Sequence, residues 1–384
     1  MPTIINTLLK KAIEKGASDL IVKAGSQPIV RIDGSLSPLE GTSKLTADDT
    51  KKMAFEVMTE RQREIFDRKN DIDISYSIPG VGRFRCNSFY QRGTTSMVLR
   101  VVPMKPFNLE ELNMPPVLKK IALEPRGLVL VTGTTGSGKS TTLAAMVDFI
   151  NNNKPNHVIT IEDPIEYLHR DKMSVVNQRE IGADTESFSK ALRAALRKDP
   201  DVILVGEMRD FETIQTAIIA AETGHLVLST LHTVDTVETI NRIISVFPPY
   251  QNQQIRLQLA DVLKAIISMR LMPKADGIGR VHAVEILMAT ERIKACIEDA
   301  EQTKLIHDVI SEGYSQYGMQ TFDQSLFYLF KDNLITYEEA LSRATRPDDF
   351  ALRVKGITSI KEVWDGDKEF LNEGQSPDIE GFSK

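Results

Sequence analysis

The stretch VLVTGTTGSGKSTTL, Val129 to Leu143, runs from apolar residues ending at Thr132 into a glycine-broken loop and out into a segment of helical character. Gly133, Gly138, Lys139 and Ser140 satisfy the pattern G-x-x-x-x-G-K-[ST]. Glycines at those points let successive backbone N–H groups converge, and the helix that follows adds the positive end of its dipole. Such a loop grips a phosphate chain. In that reading Lys139 reaches the β and γ phosphates and Ser140 holds Mg²⁺, while Thr134, Thr135, Gly136, Ser137 and Thr141 complete the cradle. The motif works only between a strand and a helix, and both flank it here. An α/β fold binding ATP and Mg²⁺ is therefore expected.

At 384 residues the chain is long enough for two domains, each with a real core. It carries 47 basic against 53 acidic residues, a formal charge of −6, so a global basic field for nucleic acid is excluded and no nucleic-acid partner is expected. Cys86 and Cys296 form no CxxC pair, which argues against a zinc site or a disulfide framework and for two reduced, buried thiols. No run approaches the roughly 18 apolar residues that span a bilayer, and the N-terminus lacks a charged-then-apolar leader. A cytoplasmic protein is expected, with attachment to a membrane machine left to a partner.

Residues 1–103 read as a small α+β domain. IINTLLKKAIEKG has helical spacing and Gly16 as C-cap, and TADDTKKMAFEVMTERQREIF reads as one helix opening on Thr46. Short strand-like runs make up the remainder, including DIDISYSI, GRFRCNSFYQRG and TTSMVLRVVP. Residues 104–122 read as an interdomain linker, stiffened by a proline-rich stretch with prolines at 103, 106, 115 and 116 that suits a hinge. Over 123–290 near-continuous apolar strands alternate with helices, the pattern of a parallel sheet covered on both faces. A hairpin-like pair is expected beyond Pro273, then a helical region over 291–360 and a disordered acidic tail over 361–384.

Three further segments end strands with polar residues at the edge where open α/β sheets bind ligands. DPDVILVGEMRD delivers Glu207, a candidate to hold Mg²⁺ through water. In ITIEDPIEYLH the strand ends on Glu162 and Asp163, and Pro164 turns the chain so that Glu166 can orient and deprotonate an attacking water. Helix-capping acids are the plain alternative for Glu162 and Glu166. In STLHT, His232 lies just past another strand end, as a γ-phosphate sensor or a contact to the neighbouring domain.

TGTTGSGKSTTLAAM, IEDPIEYLH, DPDVILVGEMRD and TGHLVLSTLHT resemble, in that order, the Walker A, Asp box, Walker B and His box of the type IV secretion and pilus ATPase superfamily. GASDLIVKAG, GRFRCNSFYQRG, NRIISVFPPYQ and GMQTFDQSL are similar to its PilT-like retraction ATPases of twitching motility. The resemblance implies a PAS-like N-terminal domain, a RecA-like P-loop core, and a cytoplasmic homo-hexamer beneath the inner-membrane platform protein of the pilus. It also implies Glu166 as general base, Glu207 as Walker B acid, His232 as the His-box residue, and arginines of the N-terminal domain reaching nucleotide. Arg83, Arg85 and Arg100 are the local candidates, Arg83 and Arg85 sharing one face of a strand. Two scattered cysteines lack the tetracysteine motif of the assembly branch, which favours retraction. RIKACIEDAEQ stands where an AIRNLIRE-like segment is usual, and GMQTFDQSLFYLF with the acidic tail is more like the accessory PilU-like paralogue. The alternatives to a retraction motor are that accessory role beside a paralogous ATPase, an assembly or secretion ATPase, a nucleic-acid translocase, and a module that holds nucleotide without turnover.

Overall fold

The computed structural model describes residues 3–357 apart from 33 and 104, so the tail expected over 361–384 lies outside the described residues. The chain forms two compact units. The first holds the described residues up to Pro106 together with Asp163–His169 and Arg179–Glu186. The second holds Phe107–Glu162, Arg170–Gln178 and the described residues from Ser187 onward.

In the first unit the helix Ile4–Glu14 starts on Thr3, whose hydroxyl accepts from the Asn6 amide, and buries Ile5, Leu8, Leu9 and Ala12 at helical spacing. Gly16, at φ +72°, releases the chain beyond it. Six strands follow: β1 Asp19–Lys23, β2 Ile29–Ile32, β3 Ser35–Pro38, β4 Asp71–Ile78, β5 Gly82–Gln91 and β6 Thr94–Val102. They form one antiparallel sheet in the order β3-β2-β1-β6-β5-β4. On β5 alternation is strict, Phe84, Cys86 and Ser88 being buried while Arg83, Arg85 and Asn87 take the other face. Burial pushes the Cys86 thiol up to about 12, and both cysteines are free and buried, as expected.

The stretch expected as one helix from Thr46 is two, Ala47–Val57 and Glu60–Lys69. Thr59 divides them. Its side chain accepts from the Gln62 amide while the Gln62 side chain accepts from the Thr59 amide, a capping box that needs the extended ψ of 163° found there. A helix cannot continue through that conformation. Phe66 of the second helix is thereby carried onto Tyr90 of β5, the rings stacked at 4.9 Å.

The second unit is built on β7 Gly127–Thr132, β8 His157–Glu162, β9 Val175–Glu180, whose last two residues count with the first unit, β10 Val202–Val205, β11 Leu226–Leu231, β12 Leu263–Pro273 and β13 Arg280–Met288. Their order is β13-β12-β7-β11-β10-β8-β9. From β12 to β8 all pairs are parallel, and β13 closes that edge antiparallel to β12. Every residue of β7, β10 and β11 is buried, which explains why these strands read as unbroken apolar runs. With β11 inserted between the loop-bearing β7 and β10, this is the expected RecA-like core. From Leu109 the proline-rich stretch already packs on it: Leu109, Met114, Leu118 and Ile121 share one apolar cluster with Val129 and Leu143.

The hairpin expected beyond Pro273 is longer and begins at Leu263. The helix Asn252–Val262 passes into β12 with no loop residue between them. Six helices between Glu291 and Val354 follow, and Phe322, Leu326 and Phe327 of one of them pack against Met272, Val281 and Ala283 of the hairpin. Arg270 on β12 lies over the Phe322 ring at 3.8 Å. Among the described residues no helix is long and apolar enough to cross a membrane.

Glu285 on β13 is 2% exposed, and its Oε1 accepts from the Thr236 amide at 2.9 Å. Burial pushes its carboxyl from the ordinary 4.5 up to about 7; the Thr236 hydrogen bonds and Arg270 oppose the rise, and Asp235 adds to it. The unfolded chain therefore gives up this proton first, and the fold loses stability as pH climbs from 4.5 to about 7. Glu285→Gln keeps an oxygen for Thr236 but cannot ionise. Its melting temperature relative to wild type should rise by a few degrees between about pH 5 and about pH 7.5 in scanning calorimetry; a gap that stays constant with pH would contradict this account.

Candidate functional site

Because β7, β8, β10 and β11 run parallel, the segments that leave them emerge at one edge of the sheet. The loop after β7, Glu162 at the end of β8, Glu207 after β10 and His232 after β11 all belong to the second unit. The edge is tied laterally by the Gly206 amide donating to the Ile161 carbonyl at 2.7 Å, Ser229 Oγ to the Val205 carbonyl at 2.7 Å and Thr230 Oγ1 to the Gly206 carbonyl at 2.6 Å. These bonds make it a rigid platform.

Gly133 and Gly138 adopt φ +142° and +95°, in the region where side chains are strained. A Cβ on Gly133 would meet the Met269 carbonyl and Ser137 Oγ, each at 2.5 Å, and one on Gly138 would collide with Nε2 of His282 on β13. Burial holds His282 below the ordinary histidine value, which favours a neutral ring against the loop. Lys139, 8% exposed, donates from Nζ to the carbonyls of Gly133 at 2.8 Å and Thr134 at 2.9 Å. Its ammonium is thus folded across the mouth of the loop. The helix Lys139–Asn153 begins on Gly138, which has no side chain to cap it, and Ser140 and Thr141 stand in its first turn, at the positive end of the helix dipole. Thr135 and Gly136 lie at the exposed tip of the loop and Ser137 is buried beneath it.

Glu207 and His232 meet. Oε2 of Glu207 lies 3.5 Å from His232 Nε2 and 2.8 Å from Arg209 Nη2. The His232 side chain is 42% exposed and that of Glu207 22%, so the pair faces the edge. Arg209 was visible in GEMRD, but a single arginine after a strand carries no signal of what it will pair with. Glu162 accepts from Thr160 Oγ1 at 2.6 Å and Gln178 Nε2 at 3.1 Å. No helix follows β8 among the described residues before Phe188, so Glu162 and Glu166 are not helix caps.

Glu166 and the three arginines belong to the first unit. Glu166 is exposed between buried Ile165 and Tyr167. Arg83 donates from Nη2 to Glu180 Oε2 at 2.7 Å, with its side chain 18% exposed. Arg85 is half exposed, 3.7 Å from Asp73, and Arg100 is 69% exposed and donates from Nε to Asp19 at 2.9 Å. Nothing in the sequence announced Glu180 as a partner, since it stands 97 residues from Arg83.

A family described as Type II/IV secretion system protein matches residues 1–312. The type IV pilus retraction ATPase PilT of Pseudomonas aeruginosa is 45% identical over 346 residues, which cover 90% of this chain and 99% of that one. The type IV pilus ATPase PilU of the same organism is 42% identical over 350 residues, covering 91% and 90%. A crystal structure of the pilus retraction motor PilT with bound ADP superposes with a TM-score of 0.82 at 47% identity, covering 90% of this chain and 98% of that chain. The chain belongs to the type II/IV secretion system protein family. The resemblance to twitching-motility ATPases is borne out by these relatives, and the reading of an N-terminal α+β domain and a RecA-like core agrees with the PilT neighbour.

For this family member the loop geometry makes Gly138 irreplaceable. Gly138→Ala should weaken binding of a fluorescent ATP analogue by more than about tenfold, the scale of a strained, misplaced backbone. Adding His282→Ala removes the collision but leaves φ +95°, so it should restore only part of the affinity in the same titration.

Proposed function

We propose that this secretion-family chain is the ATPase that drives type IV pilus retraction. It acts as a cytoplasmic homo-hexamer held against the inner membrane by the pilus platform protein. The observation that carries the reading is the loop at Gly133–Gly138, with Lys139 folded across it, on the same sheet edge as the Glu207–His232 pair. Lys139 exchanges two neutral carbonyls for the charged phosphates of ATP. Ser140 would hold Mg²⁺ directly and Glu207 through water; the ion neutralises charge on the phosphates. The residues fit that assignment, since the uncapped helix start and the strained glycines leave a cradle that a side chain would fill.

Glu166 orients the attacking water and takes its proton. His232, in contact with Glu207, links the state of the terminal phosphate to the segment after β11. Arg85 and Arg100, the more exposed of the candidate arginines, close on nucleotide from the N-terminal module of a neighbouring subunit. The partition that serves this cycle is an N-terminal module over 1–103, a connection over 104–122 with the hinge at Pro106, ahead of the stretch from Leu109 that packs on the core, a core over 123–290 and a helical region over 291–360. Closing and opening of two rigid bodies then turns phosphate charge into movement.

A second reading is favoured by one observation: identity to PilU, at 42% over 350 residues, is close to that for PilT. In it the chain assists a paralogous retraction ATPase. Deletion and complementation with Lys139→Ala separate the readings. Excess static pili mark the main motor, bald cells an assembly enzyme, and retained twitching an accessory. In purified protein Lys139→Ala should lower Mg²⁺-dependent ATP turnover on the order of 100-fold; unchanged turnover would remove the loop from the chemistry.

A further inference from the structure

Glu180, the last residue of β9, is a carboxylate only 4% exposed. One of its oxygens, Oε2, accepts two hydrogen bonds: from Arg83 Nη2 at 2.7 Å and from the Ile165 amide at 3.0 Å. All three residues lie in the first unit. Its backbone is also fastened, the Glu180 amide donating to Asp184 Oδ2 at 2.8 Å and the Asp184 amide returning to the Glu180 carbonyl at 2.8 Å. Ile165, buried at 4%, directly precedes Glu166. On the other side of Glu166, Tyr167 is buried at 9% and the Leu168 amide donates to the Pro103 carbonyl at 3.4 Å. The exposed carboxylate of Glu166 therefore stands on a backbone pinned before and after it, and the upstream pin is Glu180.

A buried carboxylate is costly unless it is paired and hydrogen-bonded, and removing one partner of such a pair leaves the other charge uncompensated. Arg83 supplies the pairing and Ile165 the second bond. We infer that Glu180 is a positioning residue for the segment that carries Glu166, and that Arg83 serves the reaction through Glu180, not by reaching nucleotide. The inference rests on the reading of Glu166 as the base. It separates Arg83 from Arg85 and Arg100, whose partners leave them far more exposed.

The test is a double-mutant cycle on the full-length assembled enzyme with Arg83→Ala and Glu180→Gln, measuring kcat and KM for ATP, with hydrogen exchange over the 163–169 segment. Glutamine keeps an acceptor for Ile165 but loses the ion pair, so it is the milder variant at a buried site. Each single variant should lower kcat by roughly ten- to a hundredfold, the scale of a displaced catalytic group, with KM changed less than about twofold. The double variant should be no worse than the worse single one, and exchange at Ile165 should quicken in all three. Arg83→Ala costing as much in the Glu180→Gln background as in wild type, or Glu180→Gln turning over normally, would overturn the inference. A wild-type protein without ATP turnover would instead remove the reading of the site, and the exchange data would still report whether Arg83 and Glu180 hold Ile165.

Discussion

The tight passage from β7 into the helix Lys139–Asn153 is the constraint on which the rest of the second unit depends. At that bend the backbone is pressed so closely against the Met269 carbonyl of β12 and the His282 ring of β13 that no Cβ fits at Gly133 or Gly138. The β12–β13 hairpin is therefore the wall of the Gly133–Gly138 loop and more than an extension of the sheet. Its opposite faces divide the work. Val284 and Ile286 enter the central cluster with Val129, Val131 and Leu143, whereas Val281 and Ala283 pack against Phe322 and Phe327 of the C-terminal helices. A helical region remote in sequence thus braces the wall, and through it the loop.

The same strand reaches the His box. Glu285 holds the amide of Thr236, where the helix that follows His232 begins, and Asp235 caps that helix by accepting from the Glu238 amide. One strand accordingly touches both the Gly133–Gly138 loop and the segment next to the Glu207–His232 pair. In the proposed cycle a change of charge at the terminal phosphate would act on elements that share this one buried backing, and interiors this closely packed transmit displacement with little slack. The cost is an acid kept from water, whose carboxyl burial raises to about 7.

What was legible in the sequence follows from the range of each signal. The loop, the strands β7, β10 and β11, and the cap at Thr46 are local patterns that carry their own mechanism, and the structure places them as read. The break at Thr59 was also local: T-E-R-Q satisfies a capping box, but the apolar spacing of the two helices continues across it and hides the stop. At Val262 to Leu263 the helix becomes strand with no glycine, proline or polar turn residue to mark the change, so β12 could not be seen. β9 failed for a different reason. VVNQRE is a half-exposed edge strand with little apolar content, and its identity comes from the sheet it joins.

Contacts made across long separations were the least legible, and they include the ones that decide roles. The alternation of Arg83 and Arg85 about Phe84 was readable and correct, yet two arginines on one face of β5 end in different environments. Arg83 meets a buried carboxylate delivered by β9; Arg85 stands 3.7 Å from Asp73 on the neighbouring strand, with both side chains about half in water. In high dielectric the second pairing is worth little and gives way easily to a stronger anion, whereas the first is anchored by the expense of stranding Glu180. Equal spacing in sequence therefore does not make the arginines equivalent. Their burial sorts them into one held by a buried carboxylate of its own chain and others whose weakly held partners suit the phosphate-binding role proposed for them.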